Sequence, residues 1–522
     1  MHNTMPTRAN RCTTIDAICV LLLIAYFLHF AIAARHGGFR EDEMMNLWAY
    51  WYVGPVQSLF ALAKFWTPYY RPGGALYYLP LYHFFGLNPL PYRVVQISIL
   101  ALSIPIAYLL ARLLASSRSV AFLGVLAFCY HPYVASVVFV GAFIYDVLCG
   151  VFYFAALTYY IHIREKGADL RPLQLVLFLV LYVCALNSKE MAVTLPVIVL
   201  LYELLKSSRW ANSNTFLSWT SREAVPALIG GAITAFYIYS KIGGTGSTPG
   251  SDPYRPIYSW HNFVTSNASF VGELLYAPGA ITPTALLLLW AAVFSYAFLR
   301  RDRMLRLMAF WIVIVPLPIA FILPIRRGGC LYLLLFGWAM ICARAACDLI
   351  AFVSDAFVAH RQSVGNYRTR QAMLENAASS AAPTSSVTAG KTPGWTVWIA
   401  LVSMLAVSFA LFTNWENRRL ATMPHLLGVG QKVSHVIAAF HSLNLRPAPH
   451  SRVLLEPDEQ LFKNKWHPLF IASLVWNDHS LQIWVDKVSK VTSQQLAEAD
   501  YMISLSEFEA KVIRSPNGQK AK

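Results

Sequence analysis

Apolar stretches close to the roughly 20 residues that cross a lipid bilayer recur along most of this 522-residue chain. The chain is 57% hydrophobic and only 13% charged, a balance that a water-soluble domain does not show. The sequence therefore predicts an all-α polytopic membrane protein with about eleven transmembrane helices. The predicted spans are residues 16–34, 92–113, 119–135, 145–162, 173–187, 190–205, 224–240, 283–299, 307–324, 329–349 and 395–413.

The formal net charge of +16 does not indicate nucleic-acid binding, because the basic residues lie mainly in short loops between apolar stretches. With the N-terminus in the cytoplasm, these loops obey the positive-inside rule. Eleven spans then place the C-terminus outside, and the predicted location is the bacterial inner (plasma) membrane. The inner basic residues are Arg8, Arg11, Arg118, Arg164, Lys166, Arg171, Lys206, Arg209, Arg222, Arg300, Arg301, Arg303, Arg306, Arg361, Arg368 and Arg370.

The first apolar stretch has two interpretations. The segment Ala31-Ile32-Ala33 follows a basic N-terminal region and resembles the small-residue cleavage site of a signal peptide. An uncleaved anchor is preferred, because the run is long and leads directly into an acidic segment that needs a fixed position at the membrane surface. We therefore expect the first helix to be retained.

Composition divides the chain into four parts. Residues 1–350 form a predicted transmembrane core, and residues 351–394 form a cytoplasmic linker whose Ala-, Ser-, Thr-, Pro- and Gly-rich end predicts flexibility. Residues 395–413 are the last span, and residues 414–522 are a predicted extracytoplasmic α/β domain without visible repeats. Its predicted strands are 452–456, 481–485 and 501–505, and its predicted helices are 427–442 and 466–476.

Three consecutive carboxylates, Glu41, Asp42 and Glu43, stand just after the first span, on the predicted outer side. Carboxylates at such a position can serve as a general base or as metal ligands. A solvated acidic loop is the more common explanation of one acidic triplet. The catalytic interpretation therefore depends on partner residues elsewhere in the chain.

Cations at the ends of other spans provide those partners. Arg71, in an aromatic segment, has a guanidinium group that can bind phosphate, although it could equally reach to the interface. Lys189 and Glu190 lie between two spans with almost no loop, where they either pair with each other or serve a ligand. Arg326 and Arg327 are predicted outside, against the positive-inside bias.

All of these cations fall in one predicted layer with Asp42 and Glu43. Such a layer suits a sugar attached to a lipid phosphate, because cations hold the phosphate while a carboxylate takes a proton from the acceptor. His131 and Asp146 lie near the outer ends of their spans and are supporting candidates, although single residues of this kind are more often structural. No glycine-rich loop predicts a nucleotide site, so a lipid donor is favoured.

The motifs resemble those of the GT-C superfamily of membrane glycosyltransferases over roughly residues 12–350. They are most similar to the protein O-mannosyltransferases and to transmembrane mannosyltransferases that carry tetratricopeptide repeats, which this chain lacks. The matching segments are Asp42-Glu43, Tyr70-Arg71-Pro72, His131-Pro132 with Asp146, Ser188-Lys189-Glu190, and Arg327 with Leu331-Tyr332. The chain departs from the pattern at Ser136 and Ile144, where the repeat-bearing group has Glu and Arg.

The resemblance implies an inverting transfer of a sugar from a polyprenyl-phosphate-linked donor to an acceptor hydroxyl. It implies that Asp42 is the general base, and that Glu43 orients Asp42 or helps to bind a divalent cation such as Mg²⁺ or Mn²⁺, which some members do not need. Arg71, Lys189, Arg326 and Arg327 would then bind the donor phosphate. The sugar, the acceptor and the need for a metal stay open.

Two other classes of function are alternatives. A transporter or flippase for a lipid-linked sugar would also gather charges in the membrane, but it would show inverted repeats or broken helices at the midplane. An inactive relative would keep the scaffold and bind only a lipid or a partner protein. The intact Asp42-Glu43 and Ser188-Lys189-Glu190 segments favour the transferase.

Overall fold

The computed structural model describes residues 13–64, 71–207, 209–243, 256–378, 394–489 and 497–516. It is a bundle of helices followed by a small domain with a β-sheet, which confirms the predicted fold class. The bundle helices are α1 (Thr14–Ala31), α2 (Glu41–Val53), α3 (Pro55–Ala63), α4 (Ala75–Phe85), α5 (Pro89–Ala115), α6 (Arg118–Cys129), α7 (Ser136–Phe139), α8 (Ile144–Glu165), α9 (Pro172–Ser188), α10 (Leu195–Lys206), α11 (Ser213–Arg222), α12 (Val225–Gly243), α13 (Trp260–Leu274), α14 (Pro283–Leu299), α15 (Arg303–Ile314), α16 (Leu317–Ala320), α17 (Tyr332–Ala378) and α18 (Gly394–Arg419).

Several helices are long and apolar enough to cross a membrane, so the chain is an integral membrane protein. A further candidate span is bent by 47° between α6 and the segment Pro132–Phe139. Helices α9 and α14 are apolar but shorter, and the predicted number of eleven spans is not confirmed. Among the described residues the six full-length candidates are Thr14–His36, Pro89–Ala115, Gly141–Glu165, Arg303–Ala320, Gly328–Ala356 and Val397–Arg419.

Helix α8 lies at the centre of the bundle, where it packs against α5 and α9, while α17 packs against α6. Phe154 of α8 stacks on Trp311 of α15 with the ring planes 10° apart, and the Trp311 indole donates a hydrogen bond to the Leu333 carbonyl at 2.9 Å. Close aromatic packing of this kind leaves α8 little freedom to shift. The first turn of α8 is therefore a rigid platform for Tyr145 and Asp146.

Some predicted segments coincide only partly with the described chain. Helix α17 continues to Ala378, through the first part of the predicted linker, and residues 379–393 lie outside the described residues. Tyr70 of the Tyr-Arg-Pro segment and residues 244–255 also lie outside them. Helix α18 contains the predicted last span.

The C-terminal domain contains α19 (Thr422–Gly428), α20 (Gln431–Ser442), β1 (Arg452–Pro457), α21 (His467–Trp476), β2 (Gln482–Val485), β3 (Tyr501–Leu505) and β4 (Ala510–Arg514). The strand order is β2-β1-β3-β4, with β1 parallel to both β2 and β3, and β4 antiparallel to β3. The three predicted strands and both predicted helices of this domain are confirmed. The fourth strand, β4, was not predicted, because it is short, only its first residue is buried, and it shows no alternation of apolar and polar residues.

Candidate functional site

Helix α2 begins with the acidic triplet. Negative side chains are favourable in the first turn of a helix, where backbone N–H groups have no partner within the helix. Glu43 fills this role, since its Oε2 accepts a hydrogen bond from the backbone N–H of Arg40 at 3.0 Å. The sequence therefore fixes the start of α2 at Glu41 and points Glu43 into the protein, where it is fully buried.

Arg93 of α5 is the partner of Glu43. Its Nη1 and Nη2 donate to Oε1 and Oε2 of Glu43, both at 2.8 Å, and both side chains are 0% exposed. Arg93 also donates to the backbone carbonyls of Gly37 and Gly38, just before the acidic triplet. This bidentate pair therefore holds the chain that leads into α2.

Gly141 packs directly against this ion pair. A Cβ atom at this position would lie 1.9 Å from Glu43 Oε1 and 2.4 Å from Arg93 Nη1. Tyr78 donates a hydrogen bond to the Gly141 carbonyl at 3.2 Å. The close approach of the backbone thus requires glycine, and it connects the acidic helix to the segment that begins α8.

Asp42 differs from Glu43 in both burial and partners. Its side chain is exposed, and within the described part of the chain it makes no ion pair or hydrogen bond. Glu43, by contrast, has both oxygens bonded to Arg93. Asp42 is therefore the exposed carboxylate of this pair, and Glu43 is the buried, ion-paired one.

A second charged centre contains two arginine or lysine side chains and two carboxylates. Arg71 donates from Nε and Nη2 to Glu190 at 3.2 and 3.0 Å. Lys189 donates from Nζ to Asp146 Oδ1, and both of these side chains are buried. The structure thus brings together four of the predicted site residues as two adjacent ion pairs with no net charge.

Arg71 is held in an unusual backbone conformation. Its φ of 49° lies in the left-handed region, which costs a non-glycine residue of order 1–3 kcal/mol and persists where the surroundings impose it. Tyr50 of α2 donates to the Arg71 carbonyl at 2.7 Å, and the guanidinium carbon lies 5.1 Å from the centre of the Tyr145 ring. These contacts aim the guanidinium at Glu190.

The two centres are physically connected. The six residues from Gly141 to Asp146 run from the Glu43–Arg93 pair to the Lys189–Asp146 pair, with Tyr145 between them. Tyr50, two turns along α2 from the acidic triplet, bonds to Tyr145 through the two hydroxyl groups at 3.0 Å. Helix α2, which carries the acidic triplet, is therefore connected to the centre that contains Arg71 and Lys189 through Tyr50 and Tyr145.

Arg326 and Arg327 lie in the loop before α17, and Arg327 pairs with a carboxylate that belongs to neither of the two charged centres. Arg327 lies 3.3 Å from Glu273 of α13, with 62% of its own side chain exposed. Burial raises the pKa of Glu273, while Arg327 and the backbone N–H of Gly328 act in the opposite direction. The Arg326-Arg327 loop is further fixed by Ser136, whose hydroxyl accepts a hydrogen bond from the Gly329 N–H at 2.8 Å.

Ser136 is one of the positions where the chain departs from the motif pattern. Its small hydroxyl leaves room for Gly328, whose φ is +62° and whose missing Cβ would lie 2.6 Å from the Ser136 Oγ. A longer acidic side chain would not fit this loop without a shift. Serine at position 136 is therefore matched to the close approach of Gly328 and Gly329 in the loop before α17.

His131 is buried away from the two charged centres. Its Nε2 lies 3.2 Å from the Leu274 carbonyl at the end of α13, and its ring packs 4.3 Å from the Tyr276 ring. These contacts favour a structural role in which His131 holds α13 against the bundle. Asp146, in contrast, lies inside the cation centre.

Two residues that sequence reasoning missed belong to the site. One is Arg93, whose signal was a charged residue near the start of an otherwise apolar span. The other is Lys241, at the end of α12. Burial lowers the pKa of Lys241 to about 8, with Arg71 adding to this shift and Glu190 opposing it. Lys241 is therefore electrostatically coupled to the Arg71–Glu190 pair.

A divalent cation at this site would need several carboxylate or other oxygen ligands close together. Among the described residues there is no group of three or more His, Cys, Asp or Glu side chains that could hold a metal ion. Because Arg93 occupies both oxygens of Glu43, only Asp42 of the predicted pair is available as a ligand in this arrangement. The described residues therefore fit a divalent cation poorly.

Comparison with known proteins identifies similar architectures but no close relative. No protein-family model matches the chain, and no curated protein matches it in sequence. Among solved structures, it is similar to ArnT from Cupriavidus metallidurans bound to undecaprenyl phosphate. The two share 14% identity over 95% of this chain and 93% of ArnT, with a TM-score of 0.49.

The oligosaccharyltransferase of Archaeoglobus fulgidus, tethered to an acceptor peptide, is also similar, with 12% identity and a TM-score of 0.48. That match covers 94% of this chain and 68% of the other. At these identities and TM-scores, neither structure identifies the role of a residue in this chain.

Proposed function

We propose that this protein is an integral-membrane glycosyltransferase that moves a sugar from a polyprenyl-phosphate-linked donor to an acceptor hydroxyl. The observation that supports the proposal is an exposed Asp42 without an ion pair or hydrogen bond among the described residues, on a helix that is linked through Tyr50 to a centre with two cations, the buried Lys189 and the partly exposed Arg71. Asp42 is held by the Glu43–Arg93 pair, and the cations Arg71 and Lys189 lie at the other end of the Gly141–Asp146 segment.

The proposed reaction is a direct displacement at the anomeric carbon of the donor sugar. Asp42 takes the proton of the acceptor hydroxyl as the oxygen attacks the anomeric carbon of the donor sugar. The bond between that carbon and the phosphate oxygen breaks, and the polyprenyl phosphate leaves with the electron pair. A single displacement of this kind inverts the configuration at the anomeric carbon. Arg71 and Lys189 stabilise the charge that develops on the leaving phosphate.

When no donor is bound, Glu190 pairs with Arg71 and Asp146 pairs with Lys189. The Asp146 partner keeps the buried Lys189 stable, because an unpaired buried charge would be costly, and Glu190 neutralises the partly exposed Arg71. The donor phosphate brings its own negative charge and has the geometry to accept both hydrogen bonds of the Arg71 guanidinium. We therefore expect the phosphate to replace Glu190 as the partner of Arg71.

This exchange predicts opposite effects of two neutral substitutions. Arg71→Gln should weaken binding of undecaprenyl phosphate at least about tenfold, since hydrogen bonds between charged groups contribute roughly 1.5–3 kcal/mol. Glu190→Gln should strengthen it, because the competing carboxylate is gone. Titration of the lipid into purified protein in detergent, followed by thermophoresis, measures both. Arg418→Gln, an exposed arginine at the end of α18, is the matched control. Unchanged binding by Arg71→Gln would rule out the phosphate role.

Lys241 predicts a pH dependence of donor binding. A bound phosphate favours the charged amine and raises its pKa above the value of about 8 in the free protein. The contribution of Lys241 is therefore complete below pH 8 and declines as the pH rises above it. Lys241→Met should bind the lipid more weakly at pH 7 and lose this decline, whereas Lys241→Arg should keep its affinity to higher pH. Identical pH profiles for wild type and Lys241→Met would contradict this role.

A further inference from the structure

The C-terminal domain docks on the helix that carries Asp42. Helix α21 lies alongside α2, and three contacts fix their relative direction. His467 Nδ1 lies 3.8 Å from Glu41 Oε2 at one end, and the rings of Phe470 and Trp48 are 4.8 Å apart in the middle. At the other end the Trp51 indole donates to Asn477 Oδ1 at 2.7 Å. The two helices are therefore parallel, and both begin at the same end of the interface.

The sheet of this domain has a topological switch point, which is a place where consecutive connections leave a strand to opposite sides. Strand β1 lies between β2 and β3 and is parallel to both, so the chain first adds β2 on one side of β1 and then adds β3 on the other side. In open α/β sheets, ligands bind in the crevice outside the carboxyl ends of strands at such a point. Helix α21 follows β1, so its first residues stand at this edge of the sheet.

A crevice is present at this switch point. Asp458 follows β1, Asp486 and Lys487 follow β2, and Lys465 and Pro468 come from the start of α21. Buried Leu461 and Phe462 contribute an apolar wall. His467 lies in sequence between Lys465 and Pro468, and it is the residue that contacts Glu41. The lining residues Lys465 and Pro468 thus flank, in sequence, the residue that contacts the acidic triplet.

We infer that this crevice binds the acceptor, and that the acceptor is a saccharide whose hydroxyl is presented to Asp42. The inference rests on the proposed glycosyltransferase function and adds the acceptor class and its site. The parallel packing of α21 and α2 carries it, because that packing puts the ligand-binding edge of the sheet and the general base at the same end of the interface.

The chemistry of the crevice favours a neutral, hydroxyl-rich ligand. Carboxylates accept hydrogen bonds from hydroxyl groups and lysines donate them, while the apolar wall suits the C–H surface of a sugar ring. Neither sign of charge dominates, and Glu459 at the rim is itself paired with Lys487 at 3.0 Å. A strongly anionic or cationic ligand would require an excess of the opposite charge.

His467 provides a second observation. Its side chain is 3% exposed, and its Nδ1 lies 2.8 Å from the Asn464 carbonyl, which can only accept a hydrogen bond. Its Nε2 is buried and has no hydrogen-bond partner within the described part of the protein. A buried polar atom without a partner is costly. His467 Nε2 therefore lacks a donor of the kind that a ligand hydroxyl group provides.

A peptide acceptor is the competing possibility. Extended peptides are usually recognised by pairing with an exposed edge strand. In this sheet the edges are β2 and β4, whereas the crevice presents side chains at the ends of β1 and β2. The arrangement therefore favours a sugar ring over an extended chain.

Saturation-transfer NMR on the full-length protein in detergent tests the inference. The probes are the methyl glycosides of mannose, glucose, galactose and N-acetylglucosamine, together with a serine- and threonine-containing hexapeptide. At least one glycoside should bind saturably, and Asp458→Asn combined with Asp486→Asn should raise its Kd at least tenfold. Glu509→Gln, on the exposed rim of the same domain, is the matched control and should not change the Kd. Lys465→Met, at an exposed position, repeats the test if the double variant is unstable.

Three results would overturn the inference: no glycoside binds, the glycoside binds all variants equally, or only the peptide binds. Binding of undecaprenyl phosphate is measured in the same samples. Lipid binding without glycoside binding would reject the acceptor site and leave the proposed function intact. Glycoside binding without lipid binding would reject the lipid donor while supporting a saccharide site.

Discussion

Asp42→Asn is expected to abolish sugar transfer while donor binding stays within about twofold of wild type. The amide keeps the size of the carboxylate but cannot take the acceptor proton, and loss of a general base typically reduces turnover by about 10²–10⁴-fold. Because Asp42 is exposed and forms no ion pair or hydrogen bond among the described residues, the substitution should leave stability unchanged. Initial rates of transfer and lipid titrations, measured on the same preparation, separate turnover from binding.

Glu41→Gln is the matched control for this prediction. It removes a carboxylate one residue away, at the contact with His467, and should reduce turnover far less than Asp42→Asn. If Asp42→Asn kept full activity, Asp42 could not be the base. If both variants lost activity equally, the effect would arise from the charge of the triplet as a whole.

Arg93→Met is expected to destabilise the protein by roughly 3–5 kcal/mol. The substitution leaves Glu43 buried without a partner, and the penalty for such an uncompensated charge is large. The Gly37 and Gly38 carbonyls also lose their donor. Thermal unfolding of the purified protein in detergent measures the loss, with Arg418→Met as the control on an exposed arginine.

The double variant Glu43→Leu with Arg93→Met distinguishes stability from positioning. Removing both charges should restore most of the lost stability, since apolar side chains can replace a buried ion pair. Transfer should stay slow, because the segment before Asp42 is no longer anchored. A double variant with wild-type activity would show that the pair is only structural, and a stable Arg93→Met would show that Glu43 is not held by it.

The overall fold was predictable because hydrophobic stretches and charge placement reflect the bilayer directly. Strands β1, β2 and β3 were predictable from short runs of apolar residues in an otherwise polar domain. The number of spans was harder to predict, because α6 is interrupted at Tyr130-His131 and α9 and α14 are short. An apolar run shows that a helix is buried or in lipid, but it does not show which.

Arg71, Asp146, Lys189 and Glu190 were predicted as candidates from the sequence, but their pairing was not. Arg71 and Glu190 are 119 positions apart in the chain, and Glu43 and Arg93 are 50 apart, so no local pattern reveals which charge meets which. Arg93 was overlooked because it opens an apolar run, where one charge hardly changes the hydropathy. Buried charges need partners, however, so an arginine inside a predicted span indicates an ion pair with a carboxylate on another helix.

The docking of α21 on α2 was not predictable for a related reason. The contacts between Trp48, Trp51 and the C-terminal domain join residues more than 400 positions apart. The sequence showed only a small α/β domain without a legible role. The structure shows that this domain packs against the helix that carries the acidic triplet.

The most direct test of the central claim is transfer of radiolabelled sugar from a panel of polyprenyl-phosphate sugars by the wild-type protein in liposomes. Product is separated from donor, and released polyprenyl phosphate is measured in parallel. We predict that one donor yields labelled product with an equal amount of released lipid phosphate. Donor that is bound, or moved across the bilayer, without cleavage of the sugar–phosphate bond would contradict the account and favour a carrier or an inactive scaffold.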